Sequence, residues 1–363
     1  MVSDQKYMRE ALELAALGKG KTSPNPLVGA IVVRDGEVVG RGYHERVGEA
    51  HAEAKALSNA GARARGATLY VNLEPCAHEG RTPPCARAIV EAGIARVVAP
   101  FEDPNPLVSG RGFALLREAG VAVETGVLEQ EAARLNECYL KFVRTGLPFV
   151  TVKLATTLDG LMAAPDGDSQ WITGEEERTF VHQLRVEHDA VMVGIGTVLA
   201  DNPTLTARLV PAPRQPTRFV VDSTLRTDPG SNVLGPEART IIACARPASQ
   251  ERVFALTQAG AEVWDLGDDG RGGVDLSELF RRIGGAEMTS VLVEGGRRLA
   301  AAVVREGLAD KVIFCIAPKL LGKGLSAFDD LGVKGLQEAI KVDRMQVSMV
   351  GQDIIVEGYV SGT

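Results

Sequence analysis

His51, Cys76 and Cys85 are the feature that most limits how this 363-residue chain can fold, because imidazole and thiolate are scarce in it, with 5 His and 5 Cys in all. They are the donors zinc prefers, and one His with two Cys leaves a tetrahedral ion with its fourth position open. An open position belongs to catalysis, since scaffolding sites are closed. Three donors separated along the chain must then converge on one point. Water at such an ion has its pKa lowered from about 15.7 toward about 7, so hydroxide is available at neutral pH but a proton carrier is still needed. Glu53, two residues beyond His51 at the start of an expected helix, can face the same cleft without ligating. It is the candidate to move a proton from the water to a leaving amine.

His-x-Glu followed by Pro-Cys is the signature of zinc nucleobase deaminases. The second thiolate usually comes three residues after the first, whereas here the run Ala77-His78-Glu79-Gly80-Arg81-Thr82-Pro83-Pro84 separates Cys76 from Cys85. A loop must fold back beside the metal. Pro84-Cys85 would then set the second thiolate at a helix N-terminus, where the dipole favours the anion. Taken singly, His-x-Glu is common surface chemistry and two cysteines are ordinary core residues. Taken together, in this order, they point to a zinc deaminase.

Residues 1–147 resemble the deaminase half of the bifunctional riboflavin-biosynthesis family, the diaminohydroxyphosphoribosylaminopyrimidine deaminases. The motifs are Asn25-Pro26-Leu27-Val28-Gly29, Gly48-Glu49-Ala50-His51-Ala52-Glu53, Glu74-Pro75-Cys76-Ala77-His78, Gly80-Arg81-Thr82-Pro83-Pro84-Cys85 and Asp103-Pro104-Asn105-Pro106. The long thiolate spacing is typical of that family. The resemblance implies a cytidine-deaminase-like three-layer sandwich and hydrolytic loss of the pyrimidine 2-amino group from 2,5-diamino-6-ribosylamino-4(3H)-pyrimidinone 5′-phosphate. Asn25 could offer a paired donor and acceptor to base or ribose, or simply form a turn between its prolines. His44, His78 and Arg81 are candidates for the substrate phosphate, with a strand-end histidine as the plainer reading of His44. Asp103 and Asn105, which otherwise read as loop caps, are implied as substrate contacts.

At roughly 100 to 200 residues per domain the length sets two domains, and the pattern breaks around Thr145-Gly146-Leu147-Pro148. We therefore expect domains 1–147 and 148–363. In the first, helices are expected over 4–17 (capped by Ser3 or Asp4), 51–60, 84–91 and 112–118. Strands are expected over 28–33, 37–43 with Asp35-Gly36 as the hairpin turn, 68–73, 97–100 and 121–124. The second is read as strands over 149–155, 189–194, 217–222, 239–244, 289–294, 310–317 and a final pair within 341–360, with helices over 175–186, 275–284 and 296–306. Strands alternating with helices make both halves α/β.

Lys and Arg balance Asp and Glu at 18 each before residue 148 and stand at 22 against 29 after it, so neither half is a polycation. A broad nucleic-acid surface is disfavoured, and no apolar run reaches the roughly 20 residues of a membrane helix. We expect a cytoplasmic protein that binds a small phosphorylated pyrimidine, neither nucleic acid nor membrane, and forms a homo-oligomer. Cys138, Cys244 and Cys315, with no basic neighbour in sequence, read as buried thiols.

The second half lacks Gly-x-Gly-x-x-Gly; Gly194-Ile195-Gly196 alone is weak evidence for a dinucleotide. The stretch Val291-Leu292-Val293-Glu294-Gly295-Gly296-Arg297-Arg298-Leu299 reads as a strand, two glycines and a helix start. That suits a pyrophosphate, and equally a tight strand-to-helix turn. Residues 149–360 resemble the reductase half of the same family through Lys153-Leu154-Ala155-Thr156-Thr157-Leu158-Asp159-Gly160, Ser169-Gln170-Trp171-Ile172-Thr173, Gly196-Thr197-Val198-Leu199-Ala200-Asp201-Asn202-Pro203, Glu294-Gly295-Gly296 and Ala317-Pro318-Lys319-Leu320-Leu321-Gly322. The resemblance implies a dihydrofolate-reductase-like α/β domain and NADPH delivering hydride to C1′ of the ribosylamino group. Asp201 is the leading acid/base candidate, with Lys153 and Glu294 beside the substrate. Ser169, Arg185, Leu205, Arg208 and Glu294 are implied to line the substrate site, the arginines by forked phosphate contacts. Ala155, Trp171, Thr197, Asp201, Ser223, Gly296, Arg297, Arg298 and Leu299 are implied to contact NADPH, although Trp171 could equally be a core aromatic. Two rivals remain open: a deaminase of tRNA or free cytidine, and a non-catalytic module whose zinc is closed by His78.

Overall fold

Apolar residues on consecutive strand positions must point to opposite faces, and the run Gly-Ala-Ile-Val-Val can therefore hold together only a sheet covered on both sides. The structure, a computed structural model, describes residues 2–77, 84–245 and 249–361. They divide into two units, Met1–Gly146 and Leu147–Thr363. The first contains α1 (Val2–Ala16), β1 (Gly29–Arg34), β2 (Glu37–Tyr43), α2 (Ala52–Ala60), β3 (Thr68–Val71), α3 (Cys85–Glu91), β4 (Arg96–Val98), α4 (Arg111–Glu118), β5 (Ala122–Glu124), α5 (Glu129–Leu135) and α6 (Glu137–Thr145). Among the described residues its sheet runs β2-β1-β3-β4-β5, antiparallel as far as β3 and parallel beyond.

Ala30 and Val32 face one core with Ala52, Ala56, Ala86, Ile89 and Phe113 from α2, α3 and α4. Ile31 and Val33 face the other with Met8 and Ala11 of α1. The result is a three-layer sandwich. Asp35 and Gly36 both take positive φ, 51° and 81°, as the two-residue turn between twisted strands requires.

Small residues set how closely the helices lie on this sheet. A Cβ built on Gly29 would stand 2.0 Å from the Ala11 carbonyl oxygen, and one on Gly42 would stand 2.3 Å from that of Ala52. Because Ala52 lies between His51 and Glu53, the bare backbone at Gly42 fixes the height of the functional end of α2.

The second unit contains β6 (Phe149–Thr157), β7 (Leu161–Ala163), α7 (Glu175–Glu187), β8 (Ala190–Gly194), α8 (Ile195–Asp201), β9 (Thr217–Val221), β10 (Thr240–Cys244), α9 (Gln250–Gln258), β11 (Ala261–Asp265), α10 (Leu276–Gly285), β12 (Ser290–Glu294), α11 (Arg297–Arg305), β13 (Lys311–Ala317), β14 (Leu325–Ser326), β15 (Val342–Val350) and β16 (Asp353–Val360). The main sheet runs β11-β10-β9-β8-β12-β6-β13-β16-β15. It is parallel from β11 to β13, and β16 and β15 add antiparallel. One face packs Met192, Phe219 and Val293 against α10 and α11. The other packs Val191, Val220 and Ile242 against α8 and α9, and Leu292 and Ile313 against α7.

Several expectations need correction. Neither Ser3 nor Asp4 caps α1, which already begins at Val2; Asp4 instead meets Arg96 at 2.9 Å and accepts from the Tyr70 hydroxyl at 2.6 Å. Helices α5, α6, α8 and α9 and strands β7, β11 and β14 were not expected. Of these, α5 and α8 are seven residues each with a single buried residue apiece, Ala132 and Val198, so neither shows an apolar period. Cys138 is half-buried, while Cys244 and Cys315 are buried.

Gly42→Ala is expected to cost about 2–3 kcal/mol by forcing α2 off the sheet. Thermal unfolding followed with a zinc-release dye should place metal loss at a lower temperature than in the parent protein.

Candidate active sites

His51 caps the N-terminus of α2 with extended backbone (φ −68°, ψ 160°), Cys76 follows β3, and Cys85 opens α3 behind Pro84. Their donor atoms all lie within 4.8 Å of one another. His51 Nδ1 is 3.2 Å from Cys85 Sγ and 3.7 Å from Cys76 Sγ. The Cys85 amide, at the positive end of α3, donates to Cys76 Sγ at 3.4 Å, so the helix end supports the sulfur opposite as well as its own. The proton balance fits a cation. Cys76 is drawn down to about 4 by the Cys85 thiol, with His51 assisting, while that same contact and burial push Cys85 up. Two sulfurs sharing one proton become two thiolates only when a cation replaces it.

Glu53 sits in the first turn of α2, 4% exposed, and burial, reinforced by Cys76, pushes its carboxyl up. It lines a cavity of about 200 Å³ together with His51, Cys76, Asn25, His44, Asp103 and Asn105. Of the sequence candidates of the first half, Asn25, His44, His51, Glu53, Cys76, Asp103 and Asn105 thus share one cleft; Cys85 stands behind it at donor distance from His51 and Cys76, and His78 and Arg81 lie outside the described residues. Asn25 Nδ2 is 3.2 Å from His44 Nε2, and burial lowers His44. The His44 and His51 rings meet edge-on at 5.6 Å.

Three side chains that hold this cleft were missed. Tyr139 of α6 donates to both carboxylate oxygens of Asp103, at 3.1 and 2.9 Å. Asn136 brackets Leu27, accepting from its N–H at 2.8 Å and donating to its carbonyl at 3.0 Å. Glu74, 4% exposed, accepts from four amides: Asp103 and Gly110 at 3.0 Å each, Gly112 at 2.9 Å and Phe113 at 3.1 Å. Its carboxylate ties the Pro75-Cys76 strand end to both the Asp103 loop and the start of α4. Its place in the Glu74-Pro75-Cys76 motif was the available signal.

In the second unit the chain leaves β8 for β9 on one side and returns through β12 on the other, so their carboxyl ends flank a crevice where such sheets bind ligands. Gly194 and Thr197 lie on one wall, and Gly295 and Gly296, with φ of 64° and 75°, on the other. A Cβ on Gly296 would come 3.1 Å from Thr197 Oγ1. The first helical bond of α11 runs from Ala300 N to Gly296 O at 3.0 Å, which leaves the amides of Arg297, Arg298 and Leu299 at the free end. Leu299 buries its side chain in the core, and Arg297 and Arg298 lean on Asp329 at 3.1 and 3.6 Å.

Arg185 spends its fork on Glu294 at 2.6 and 2.7 Å and donates to the Thr206 carbonyl at 2.9 Å. Arg208 is exposed and, among the described residues, its guanidinium is tied by one nitrogen to Thr204 Oγ1 at 2.7 Å. Its backbone N–H donates to His182 Nδ1 at 2.8 Å, and desolvation next to Arg185 and Arg208 pushes His182 down to about 4. Leu205 is buried with φ 54°. Lys153 and Glu294 are cross-strand neighbours. Ala155 and Ser223 are half-buried at their strand ends, as is Ser169 in its loop. Asp201 closes α8 on the surface; partial burial still raises its carboxyl, opposed by a Gln170 hydrogen bond. Trp171 is 63% exposed, with the Arg178 guanidinium 4.7 Å over its ring, which excludes the core reading.

Comparison with known proteins accounts for both halves. Residues 1–100 match the cytidine and deoxycytidylate deaminase zinc-binding region, and residues 148–356 match the RibD C-terminal domain. The riboflavin biosynthesis protein RibD of Aquifex aeolicus is 44% identical over 97% of both chains. The chain belongs to the RibD family. Within that family the Escherichia coli protein is 42% identical over 97% of this chain and 98% of its own. The crystallised RibD of Acinetobacter baumannii superposes with a TM-score of 0.88 at 37% identity, covering 99% of each chain. A Thermotoga maritima structure described as a diaminohydroxyphosphoribosylaminopyrimidine deaminase/5-amino-6-(5-phosphoribosylamino)uracil reductase gives 0.86 at 36%, again over 99% of each. The protein is thus a bifunctional riboflavin-biosynthesis enzyme with a zinc-binding deaminase domain and a reductase domain that uses a nicotinamide cofactor. Among the described residues no helix is long and apolar enough to cross a membrane.

Glu74→Gln keeps the shape but turns an NH₂ toward amides that need an acceptor. A loss of about 3 kcal/mol is expected from the first unit, read as a lower denaturant midpoint with faster zinc release to a chelator.

Proposed function

We propose that the first domain, 1–147, deaminates 2,5-diamino-6-ribosylamino-4(3H)-pyrimidinone 5′-phosphate, and that the second, 148–363, reduces the ribosyl side chain of the product to ribityl with NADPH. The observation that carries the first step is that Glu53 lines one cavity with His51 and Cys76, whose donor atoms lie within 4.8 Å of each other and of Cys85 Sγ. His51 Nδ1 and the two thiolates would hold zinc, which when bound supplies an acidified water. Glu53, too buried to be a solvent-facing charge, moves a proton toward the departing amine. Asp103, fixed by Tyr139, and Asn105 present acceptor and amide groups to the pyrimidine, and Asn25 with His44 closes the opposite wall. His78 and Arg81 complete the reading as phosphate contacts.

For reduction, NADPH when bound supplies the hydride. The amides of Arg297, Arg298 and Leu299, with Gly296 leaving room, suit its pyrophosphate. Thr197, beside Gly296, joins this side, and Ala155, Ser223 and the exposed Trp171 ring are assigned to the same cofactor by the family resemblance. Ser169, Leu205, Arg208 and the Lys153–Glu294–Arg185 group form the substrate side. With the Arg185 fork filled by Glu294, Arg208 is the arginine open to a phosphate, and Arg185 acts by orienting Glu294 and the Thr206 backbone. Asp201, its carboxyl raised by partial burial, supplies the proton as the ribose ring opens.

Two broader parts of the reading have separate support. Cys76, Cys85, Cys244 and Cys315 stand as thiols outside any disulfide, which suits a reducing cytoplasm. Edge strand β15 exposes Met345, Val347 and Met349 by 58%, 66% and 61%, in an apolar order that is the same from either end. An antiparallel second copy would match it, which favours a homo-oligomer. The neutral charge balance of the first half speaks for a small-molecule substrate over tRNA.

Two substitutions separate the steps. Glu53→Gln is expected to lower ammonia release by about 10²–10⁴-fold while leaving NADPH oxidation with pre-deaminated substrate intact, and Asp201→Asn to do the reverse. Loss of both activities in either variant would refute separate sites.

A further inference from the structure

One buried carboxylate in the second unit has no part in the reading above, although it touches a group that does. Glu177 lies in the first turn of α7, where a carboxylate is ordinarily solvated, yet it is 2% exposed. Its Oε1 lies 2.8 Å from Lys153 Nζ, and its Oε2 accepts from Thr173 Oγ1 at 2.8 Å. Burying a carboxylate costs several kcal/mol unless it is paired and hydrogen-bonded, and both conditions are met here.

The surroundings show why Lys153 needs this partner. Lys153 is 8% exposed. Its Nζ is faced by Glu177 from α7, Glu294 from β12 and Cys315 from β13, with Arg185 and His182 of α7 behind Glu294. Both Glu294 oxygens are taken by Arg185, and burial pushes the Cys315 thiol up, so it carries no charge at neutral pH. Glu177 is therefore the counter-charge that is not already spent on another cation.

We propose that Glu177 is a positioning residue of the reductase half: with Thr173 as its anchor, it fixes the Lys153 ammonium beside Glu294 in the substrate cleft. The proposal rests on the reading that Lys153 lines that cleft. Its physical consequence is a sign. Burial alone would lower the Lys153 ammonium, and its acidic neighbours, the carboxylates of Glu177 and Glu294 among them, outweigh it to hold it above its ordinary range. Removing Glu177 leaves burial less opposed, so Lys153 loses its proton at lower pH.

The test uses the full-length enzyme and follows NADPH oxidation across pH, with ammonia release as an internal control on the separate unit. Glu177→Gln keeps the size and the Thr173 contact while removing the charge. It should lower the reductase kcat by roughly ten-fold or more with KM within about two-fold, and move the alkaline limb of the kcat profile at least about one pH unit lower. Glu177→Asp should restore part of both. Thr173→Val, which loosens the anchor but keeps the charge, should lower kcat less and leave the limb in place. An unshifted limb in Glu177→Gln overturns the proposal, and so does a loss that Thr173→Val reproduces in full, which is what a merely structural role predicts. If Glu177→Gln fails to fold, the Glu177→Asp and Thr173→Val profiles decide by the same limb. Lys153→Met separates the two levels: wild-type reductase activity there would sink the placement of Lys153, whereas an inactive Lys153→Met beside an unaffected Glu177→Gln sinks only the role of Glu177.

Discussion

The first half depends on getting two thiolates and an imidazole to one point without leaving their charge unbalanced. Two helix starts and one strand end meet there, and the three elements are held by means that are not themselves reactive. Bare backbone at Gly42 lets α2 sit low on the sheet, and the Glu74 carboxylate binds the Cys76 segment to α4. The Cys85 amide shares its partial charge with the neighbouring sulfur. Each device spends packing or hydrogen bonding to fix donor positions, so the three donor atoms stand within 4.8 Å of one another. The same framework buries Glu53 in the cleft beside the donors.

The second half solves a different problem, that of keeping charges at work inside an apolar sheet. Lys153 and Glu294 stand on adjacent parallel strands, where neighbouring residues would otherwise be aliphatic. Each draws its counter-charge from α7, through Glu177 and Arg185. The pairs cancel, and the helix that covers that face of the sheet also supplies their counter-charges. Family membership and fold place a reductase here, while the ion pairs describe how this chain would run it.

Much of this was legible in the sequence because the determinants are local. Asp35-Gly36 forces a hairpin wherever it falls between apolar strands, and His51-x-Glu53 before an alanine-rich helix marks both a candidate metal donor and the buried carboxylate beside it. The long parallel strands read as unbroken apolar runs. What escaped detection depends on distance. Tyr139, Asn136 and Glu177 act on residues 36, 109 and 24 positions away in the chain, and no motif announces such partners. Short helices such as α5, with a single buried side chain, carry no periodic signal. Arg185 was placed on the substrate phosphate by resemblance, and only coordinates could reveal that Glu294 had already occupied its fork.

X-ray absorption at the zinc edge of the purified enzyme tests the central claim most directly. The account predicts one zinc per chain with two sulfur neighbours at about 2.3 Å and two lighter ones, one imidazole nitrogen and one exchangeable oxygen. A closed shell of two sulfurs and two imidazoles, or sulfur in any number other than two, would contradict it.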